Sequence, residues 1–129
     1  MSQTLPHQVN ALRVYEHRCT TPWITQPPTV VFHHGLGARA ECWHGWFAAL
    51  NERYRLITFD MRGHGESPVG DNHTWSVDGM IADLAAVVDA TVPANEKFHL
   101  VGESIGGTNV LAYATRHPDR LASLTVSNG

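Results

Sequence analysis

The sequence predicts an α/β fold in which a doubly wound, mostly parallel sheet is covered by helices. Short apolar, β-branched runs alternate along the chain with longer segments whose apolar residues recur every three or four positions. Glycines follow these runs, so each strand is expected to end in a loop at the carboxyl edge of the sheet, where ligands bind in such folds. With 129 residues, the chain has the length of one domain.

The strands are predicted from short runs with turn-forming residues beyond them. Residues 9–17 alternate loosely between apolar and polar and indicate an outer strand. Residues 20–28 contain three prolines, which forbid a regular ladder, so this stretch is a connector. Buried strands are predicted at residues 29–33 and 54–59, and a third and a fourth strand at residues 98–101 and 121–127.

Three helices are predicted between these strands, at residues 41–50, 76–90 and 105–116. Ser76 can cap the second helix through its hydroxyl oxygen. The third helix is expected to stop at His117-Pro118, because the residue before a proline is driven out of the helical region. The apolar stripe of the second helix consists of Val77, Met80, Ile81, Leu84 and Val88.

Composition excludes several classes of function. The chain is 43% apolar and 16% charged, which suits a packed core, and its net charge of −3 without a basic cluster argues against nucleic acid as a partner. It has no apolar run long enough to span a membrane, and residues 1–7 lack the pattern of a signal peptide, so a cytoplasmic location is expected. Cys19 and Cys42 are predicted to stay unpaired.

The motif Gly102-Glu103-Ser104-Ile105-Gly106 follows a predicted strand and opens a predicted helix. Gly-x-Ser-x-Gly in this context is typical of a nucleophile elbow, a turn sharp enough to push the serine Oγ out over the sheet edge. Such a turn crowds its neighbours, so the glycines two positions before and after the serine are required. Ser104 is therefore the predicted nucleophile, at a helix N-terminus whose dipole favours developing negative charge.

Two other interpretations of this turn stay open. It could be an ordinary glycine-rich turn in which Ser104 only caps the helix. It could also bind phosphate, although the sequence has neither the Gly-x-Gly-x-x-Gly spacing nor a following lysine.

A second glycine loop, residues 33–37 with the sequence His-His-Gly-Leu-Gly, follows the first buried strand. Acyl transfer needs two donors aimed at the tetrahedral oxyanion. We predict that the backbone N–H of Ile105 is one donor and that of Leu36 the other. The alternative is a tight turn with two ordinary histidines. A metal pair is disfavoured, because neighbouring side chains diverge and no third ligand is spaced to join them, so neither a metal nor a cofactor is predicted.

Residues 60–67, Asp-Met-Arg-Gly-His-Gly-Glu-Ser, form a third loop after the second buried strand. We expect Asp60 and Arg62 to pair and hold this loop rather than to take part in chemistry. His64 lies near the same sheet edge and could act as a base, but the sequence shows no carboxylate positioned to orient it.

In this order, the three motifs resemble the α/β-hydrolase superfamily, and residues 113–120, Tyr-Ala-Thr-Arg-His-Pro-Asp-Arg, add to the likeness. From about residue 9 onwards the chain is most similar to the 3-oxoadipate enol-lactonases and related small esterase-like members. The resemblance implies a serine hydrolase that acts on a small-molecule ester, lactone or related acyl substrate through an acyl-enzyme, without a cofactor.

The resemblance also implies catalytic groups that the chain lacks. The triad order in the superfamily is Ser, then Asp or Glu, then His. After Ser104 the candidates are His117 and Asp119, which come in the wrong order and lie about 18 Å away beyond the third helix. We therefore expect residues 1–129 to be the N-terminal part of one core domain, truncated after the sixth family strand, with the cap and C-terminal part absent.

Two interpretations of the function follow. The chain is either part of an enzyme whose intact form is a serine hydrolase, or a non-catalytic remnant or binding module that retains half of the fold. In both cases residues 121–127 form an apolar strand without a protecting charge or proline, so self-association through this strand is expected.

Overall fold

Six strands form a single sheet in the computed structural model, which describes residues 3–70 and 75–129. The order across the sheet is β1-β2-β4-β3-β5-β6. β3 to β6 pair in parallel, whereas β2 is antiparallel to both β1 and β4. The predicted mostly parallel sheet is therefore confirmed. The elements are β1 (Gln3–Val9), β2 (Leu12–Arg18), β3 (Thr29–His33), α1 (His44–Leu50), β4 (Arg55–Phe59), α2 (Val77–Thr91), β5 (Phe98–Glu103), α3 (Ile105–Arg116) and β6 (Leu121–Ser127).

The side chains of the central strands alternate between two apolar layers, as the two-residue period of a strand requires. One layer packs α2 and α3 against a face that includes Val31, Ile57 and Leu100. The other layer includes Val30 and Phe32, and α1 covers it. Helices on both faces explain why all five residues of β3 are buried and why three consecutive apolar residues, 30–32, form its centre.

The first strands differ from the prediction of one outer strand at residues 9–17. β1 and β2 form a hairpin whose two turn residues, Asn10 and Ala11, have φ angles of 49° and 66°. This turn resembles the I′ type that joins antiparallel strands, although alanine is unusual there. Pro6 lies inside β1 and obscured it in the sequence, but a proline is tolerated there because β1 is an edge strand.

The helices are close to their predicted positions. Ser76 caps α2 as expected, because its Oγ accepts a hydrogen bond from the Gly79 N–H at 3.0 Å. The predicted helix at residues 41–50 is divided into a 3₁₀ turn, Ala40–Trp43, and α1. No helix in the described ranges combines the length and the apolar character that a bilayer crossing requires.

The remaining expectations concern the cysteines and the ends of the chain. Cys19 and Cys42 are free thiols. The prediction for residues 1–7 includes Met1 and Ser2, which lie outside the described residues. β6 lies at one edge of the sheet, and self-association through it stays a prediction.

Candidate active site

The turn between β5 and α3 holds Ser104 in a strained conformation, with φ 57° and ψ −123°. A non-glycine residue in so sparsely populated a region costs about 1–3 kcal/mol and persists only where its surroundings enforce it. Two hydrogen bonds do so: the Ser104 N–H donates to the Ser127 carbonyl at 2.9 Å, and the Ser104 carbonyl accepts from the Thr108 N–H at 3.2 Å. The turn therefore exposes Ser104 above the sheet edge.

The glycines on either side of Ser104 have a steric cause. A Cβ on Gly102 would lie 2.5 Å from the Gly106 carbonyl oxygen, and one on Gly106 would lie 2.3 Å from the His33 carbonyl oxygen. Because these neighbours are backbone atoms, they cannot rotate away. The Gly-x-Ser-x-Gly spacing is thus what allows β5, α3 and the end of β3 to meet at one point.

Ser104 does not act as an ordinary helix cap. Its side chain makes no capping hydrogen bond to α3, whereas Ser76 makes one to α2. The interpretation of Ser104 as a plain N-cap is therefore wrong, because its backbone also lacks the extended conformation of a capping residue, which Ser76 has.

The loop after β3 packs directly against this turn. A Cβ on Gly35 would lie 2.9 Å from the Cβ of Ser104. The Ala38 N–H donates to the Gly35 carbonyl at 3.1 Å, and Gly37 has a φ of 79°, a combination that matches a type II turn with Leu36 at its second position. Neither the Leu36 N–H nor the Ile105 N–H donates to an acceptor within residues 3–70 and 75–129. Both predicted donors are thus unpaired within the described residues, and Leu36 directly follows the glycine that packs against Ser104.

Two buried histidines fasten this loop to its neighbours. His34 donates from Nδ1 to the Gly35 carbonyl at 2.8 Å and accepts at Nε2 from the Met61 N–H at 2.9 Å. His33 donates from Nδ1 to the His34 carbonyl at 2.8 Å, and its Nε2 lies 3.2 Å from the Asn109 amide nitrogen on α3. Both rings are held in the neutral Nδ1–H form, because a carbonyl can only accept and an N–H can only donate.

The structure corrects the expected pairing of Asp60 with Arg62. The buried Asp60 carboxylate accepts from the backbone N–H groups of Ala40, at 2.8 Å, and Glu66, at 2.9 Å. Arg62 instead forms a bidentate pair with Asp83 on α2, at 2.9 and 2.7 Å, and this hydrogen-bonded pair raises the Arg62 pKa. Both residues hold the loop, as predicted, but each uses a partner from a different part of the chain.

Histidine protonation should make stability depend on pH. Burial lowers the pKa of His33 from 6.5 to about 4, and burial also lowers the pKa of His34. Below pH 6.5 these histidines therefore bind protons more readily in the unfolded chain than in the folded one. The free energy of unfolding is consequently highest above pH 6.5 and decreases as the pH is lowered. For His33 alone, we expect a loss of roughly 2 kcal/mol between pH 7 and pH 5.

Urea unfolding of the full-length protein at both pH values measures this loss. The matched control is His33→Gln, whose free energy of unfolding should change less over the same interval, whatever its value at pH 7. Equal pH dependence in the two proteins would contradict the assignment to His33.

The possible metal ligands and His117 are further ionisable groups of the chain. In the two described ranges, no three or more histidine, cysteine, aspartate or glutamate side chains are grouped so that they could hold a metal ion. His117 lies beyond the far end of α3, where its ring packs on Tyr113 with centroids 4.6 Å apart. As expected from the sequence, His117 is therefore remote from Ser104.

Comparison with known proteins identifies the family. Residues 28–129 match the model of the alpha/beta hydrolase fold. This range contains β3 to β6, α1 to α3 and the three glycine-containing loops that follow β3, β4 and β5. The chain belongs to the α/β-hydrolase family. Its predicted fold class and the resemblance found in the sequence are both confirmed.

One α/β-hydrolase relative is RutD of Caulobacter segnis, which is named as a carbamate hydrolase. It is 42% identical over 104 residues, and the match covers 78% of this chain and 37% of the relative. The 3-oxoadipate enol-lactonase 1 of Acinetobacter baylyi is 37% identical over 101 residues, covering 78% of this chain and 36% of that protein. The chain therefore spans little more than a third of the length of these curated relatives.

A solved structure of a bacterial membrane phospholipase A superposes on this α/β-hydrolase chain with a TM-score of 0.80 and 27% sequence identity. The superposition covers 97% of this chain and 39% of the phospholipase chain. The likeness thus includes the β1–β2 hairpin, which lies outside the residues matched by the family model.

Proposed function

We propose that this chain carries the nucleophile and the oxyanion donors of a serine hydrolase that acts on an ester, lactone or related acyl substrate. The observation that supports this most strongly is the conformation of Ser104, which is strained, exposed and packed against a loop with an unpaired N–H. Strain of this kind persists where the surrounding structure enforces it, and it is concentrated at functional sites.

In the proposed reaction, Ser104 Oγ attacks the substrate carbonyl carbon while its proton passes to a general base. The Leu36 and Ile105 N–H groups donate to the resulting oxyanion. The tetrahedral intermediate then expels the alcohol, which takes up the proton, and leaves the acyl group on Ser104. Water attacks this acyl-enzyme in the same manner, releasing the acid and regenerating the serine.

The general base is expected to come from a part of the protein outside the described residues. His33 ends β3, and His34 and His64 belong to the loops after β3 and β4, but both ring nitrogens of each are already engaged in hydrogen bonds. The curated relatives extend over nearly three times the matched length, which leaves room for an acid and a histidine after the serine, in the order of the family.

A fluorophosphonate probe tests this proposal, because it reacts with a serine only when that serine is activated. We expect the full-length protein to be labelled at Ser104 and the Ser104→Ala variant to remain unlabelled. If the full-length, folded protein is not labelled, the chain is instead the non-catalytic module that retains half of the fold.

An apolar cleft of about 250 Å³ lies beside the two proposed oxyanion donors. Because the donors would hold the substrate carbonyl, the cleft is positioned for an apolar chain attached to it. Each buried methylene is worth about 0.8 kcal/mol, so a chain of a few carbons would gain substantially from this surface. The apolar side chains of the cleft are Leu36, Met61, Trp75, Val77, Met80 and Ile105.

A charge in this cleft should discriminate between substrates. Val77 is half exposed at the first position of α2, where an aspartate is compatible with the helix dipole. We expect Val77→Asp to lower kcat/KM for p-nitrophenyl hexanoate by about tenfold, equivalent to losing about two buried methylenes, with little change for the acetate. The control is Leu111→Asp, at an exposed apolar residue of α3 outside the cleft. Equal effects on both esters would place the acyl chain elsewhere.

A further inference from the structure

His64 connects two loops that come from different strands. Its Nε2 accepts a hydrogen bond from the Gly37 N–H at 3.0 Å, and its Nδ1 lies 3.1 Å from the Arg62 carbonyl oxygen. Gly37 belongs to the loop after β3, 27 residues before His64 in sequence. The ring is half buried and tilted against that of His34, with centroids 5.4 Å apart.

Both contacts of His64 fix the position of its proton. The Arg62 carbonyl can only accept, so Nδ1 must be protonated, and the Gly37 N–H can only donate, so Nε2 must be unprotonated. Both hydrogen bonds therefore exist together only in the neutral Nδ1–H form, the form that His33 and His34 also adopt. Because both ring nitrogens are used in these bonds, the ring holds the backbone and is not poised to act as a general base.

The Gly37 N–H belongs to the central peptide of the turn that presents Leu36. Type I and type II turns differ in the orientation of this peptide, and a glycine at the third position can adopt either. The observed φ of 79° at Gly37 is the type II orientation, which directs its N–H to His64. Without that acceptor, the described structure offers this N–H no other partner, and the peptide is free to rotate.

We propose that His64 is a positioning residue for the hydrolase reaction: by accepting the Gly37 N–H, it locks the turn that contains the unpaired Leu36 N–H, the proposed second oxyanion donor. The inference rests on the proposed function, because it concerns the oxyanion donor of that reaction. Donors that stabilise an oxyanion must be held within about 0.5 Å of the productive position. His34 fastens the loop at the Gly35 carbonyl, and His64 fastens it two residues later.

The test compares two variants of the full-length protein. His64→Phe keeps a planar ring but removes the acceptor, whereas His64→Gln offers an amide oxygen that can take the Gly37 N–H. We expect His64→Phe to lower kcat for a p-nitrophenyl ester at least tenfold with KM changed less than threefold, and His64→Gln to recover most of the loss. A wild-type kcat in His64→Phe, or an equal loss in both variants, would overturn the proposal.

A spectroscopic measurement on the wild-type protein is independent of activity and of the folding of any variant. In ¹⁵N-labelled protein, the proton of the His64 ring should be on Nδ1, and a scalar coupling should join its Nε2 to the Gly37 amide nitrogen. A proton on Nε2 would overturn the proposal. If Ser104→Ala retained turnover while this coupling was present, the proposed function would fail and the contact between the two loops would stand.

Discussion

Replacing Ser104 with alanine is expected to reduce the turnover number of the full-length protein on a short-chain ester by more than about 10³-fold, because the acyl-enzyme can no longer form. Alanine removes only the hydroxyl, and the hydrogen bonds that hold the turn come from the backbone. The fold should therefore be retained, and the loss should appear in kcat. Steady-state hydrolysis of p-nitrophenyl acetate measures it.

The matched control is Ser127→Ala, at an exposed serine whose carbonyl accepts the Ser104 N–H. This bond also comes from the backbone, so the control should keep nearly all of its activity. Retention of even a tenth of the wild-type turnover in Ser104→Ala would eliminate Ser104 as the nucleophile.

Removing the Leu36 N–H should have the second-largest effect. Proline is common at the second position of a type II turn, which is where Leu36 lies, so Leu36→Pro deletes the donor while suiting the backbone. We expect kcat to fall by about 10²–10³-fold, the usual cost of one oxyanion donor, with a smaller change in KM. The same ester assay measures both constants.

Leu36→Ala is the control for this experiment, because it loses the exposed side chain but keeps the N–H. Its kcat on p-nitrophenyl acetate should stay within a few-fold of the wild type. A folded Leu36→Pro protein with an unchanged turnover number would show that the second donor is another group.

Much of the fold could be predicted because it depends on local signals. Ser76 caps α2, and Pro118 follows the end of α3, so both boundaries were visible in the sequence. The glycines around Ser104 were equally informative, since contact between backbones excludes every larger residue at Gly102 and Gly106. For the two helix boundaries and for Gly102, whose Cβ would meet the Gly106 carbonyl, the physical cause lies within a few residues of the pattern that reveals it.

What could not be predicted depends on partners that are distant in sequence. Arg62 pairs with Asp83, 21 residues away, and no local pattern distinguishes that carboxylate from the nearer Asp60. His64 likewise finds its partner at Gly37, 27 residues earlier. Histidine occurs in catalytic and structural roles alike, and only the bonds of both ring nitrogens distinguish them.

The hydrogen bond from the Ser104 N–H to the Ser127 carbonyl has a consequence for biosynthesis. Proteins emerge from the ribosome N-terminus first, and the conformation of Ser104 is supported by a residue synthesised 23 positions later. Gly107 allows a similar close contact of α3 with β6, because a Cβ on this residue would lie 2.9 Å from Cγ1 of Val126. While β6 is still inside the exit tunnel, the Ser127 carbonyl is not there to accept this hydrogen bond, so we expect the strained conformation of Ser104 to form only after β6 has emerged.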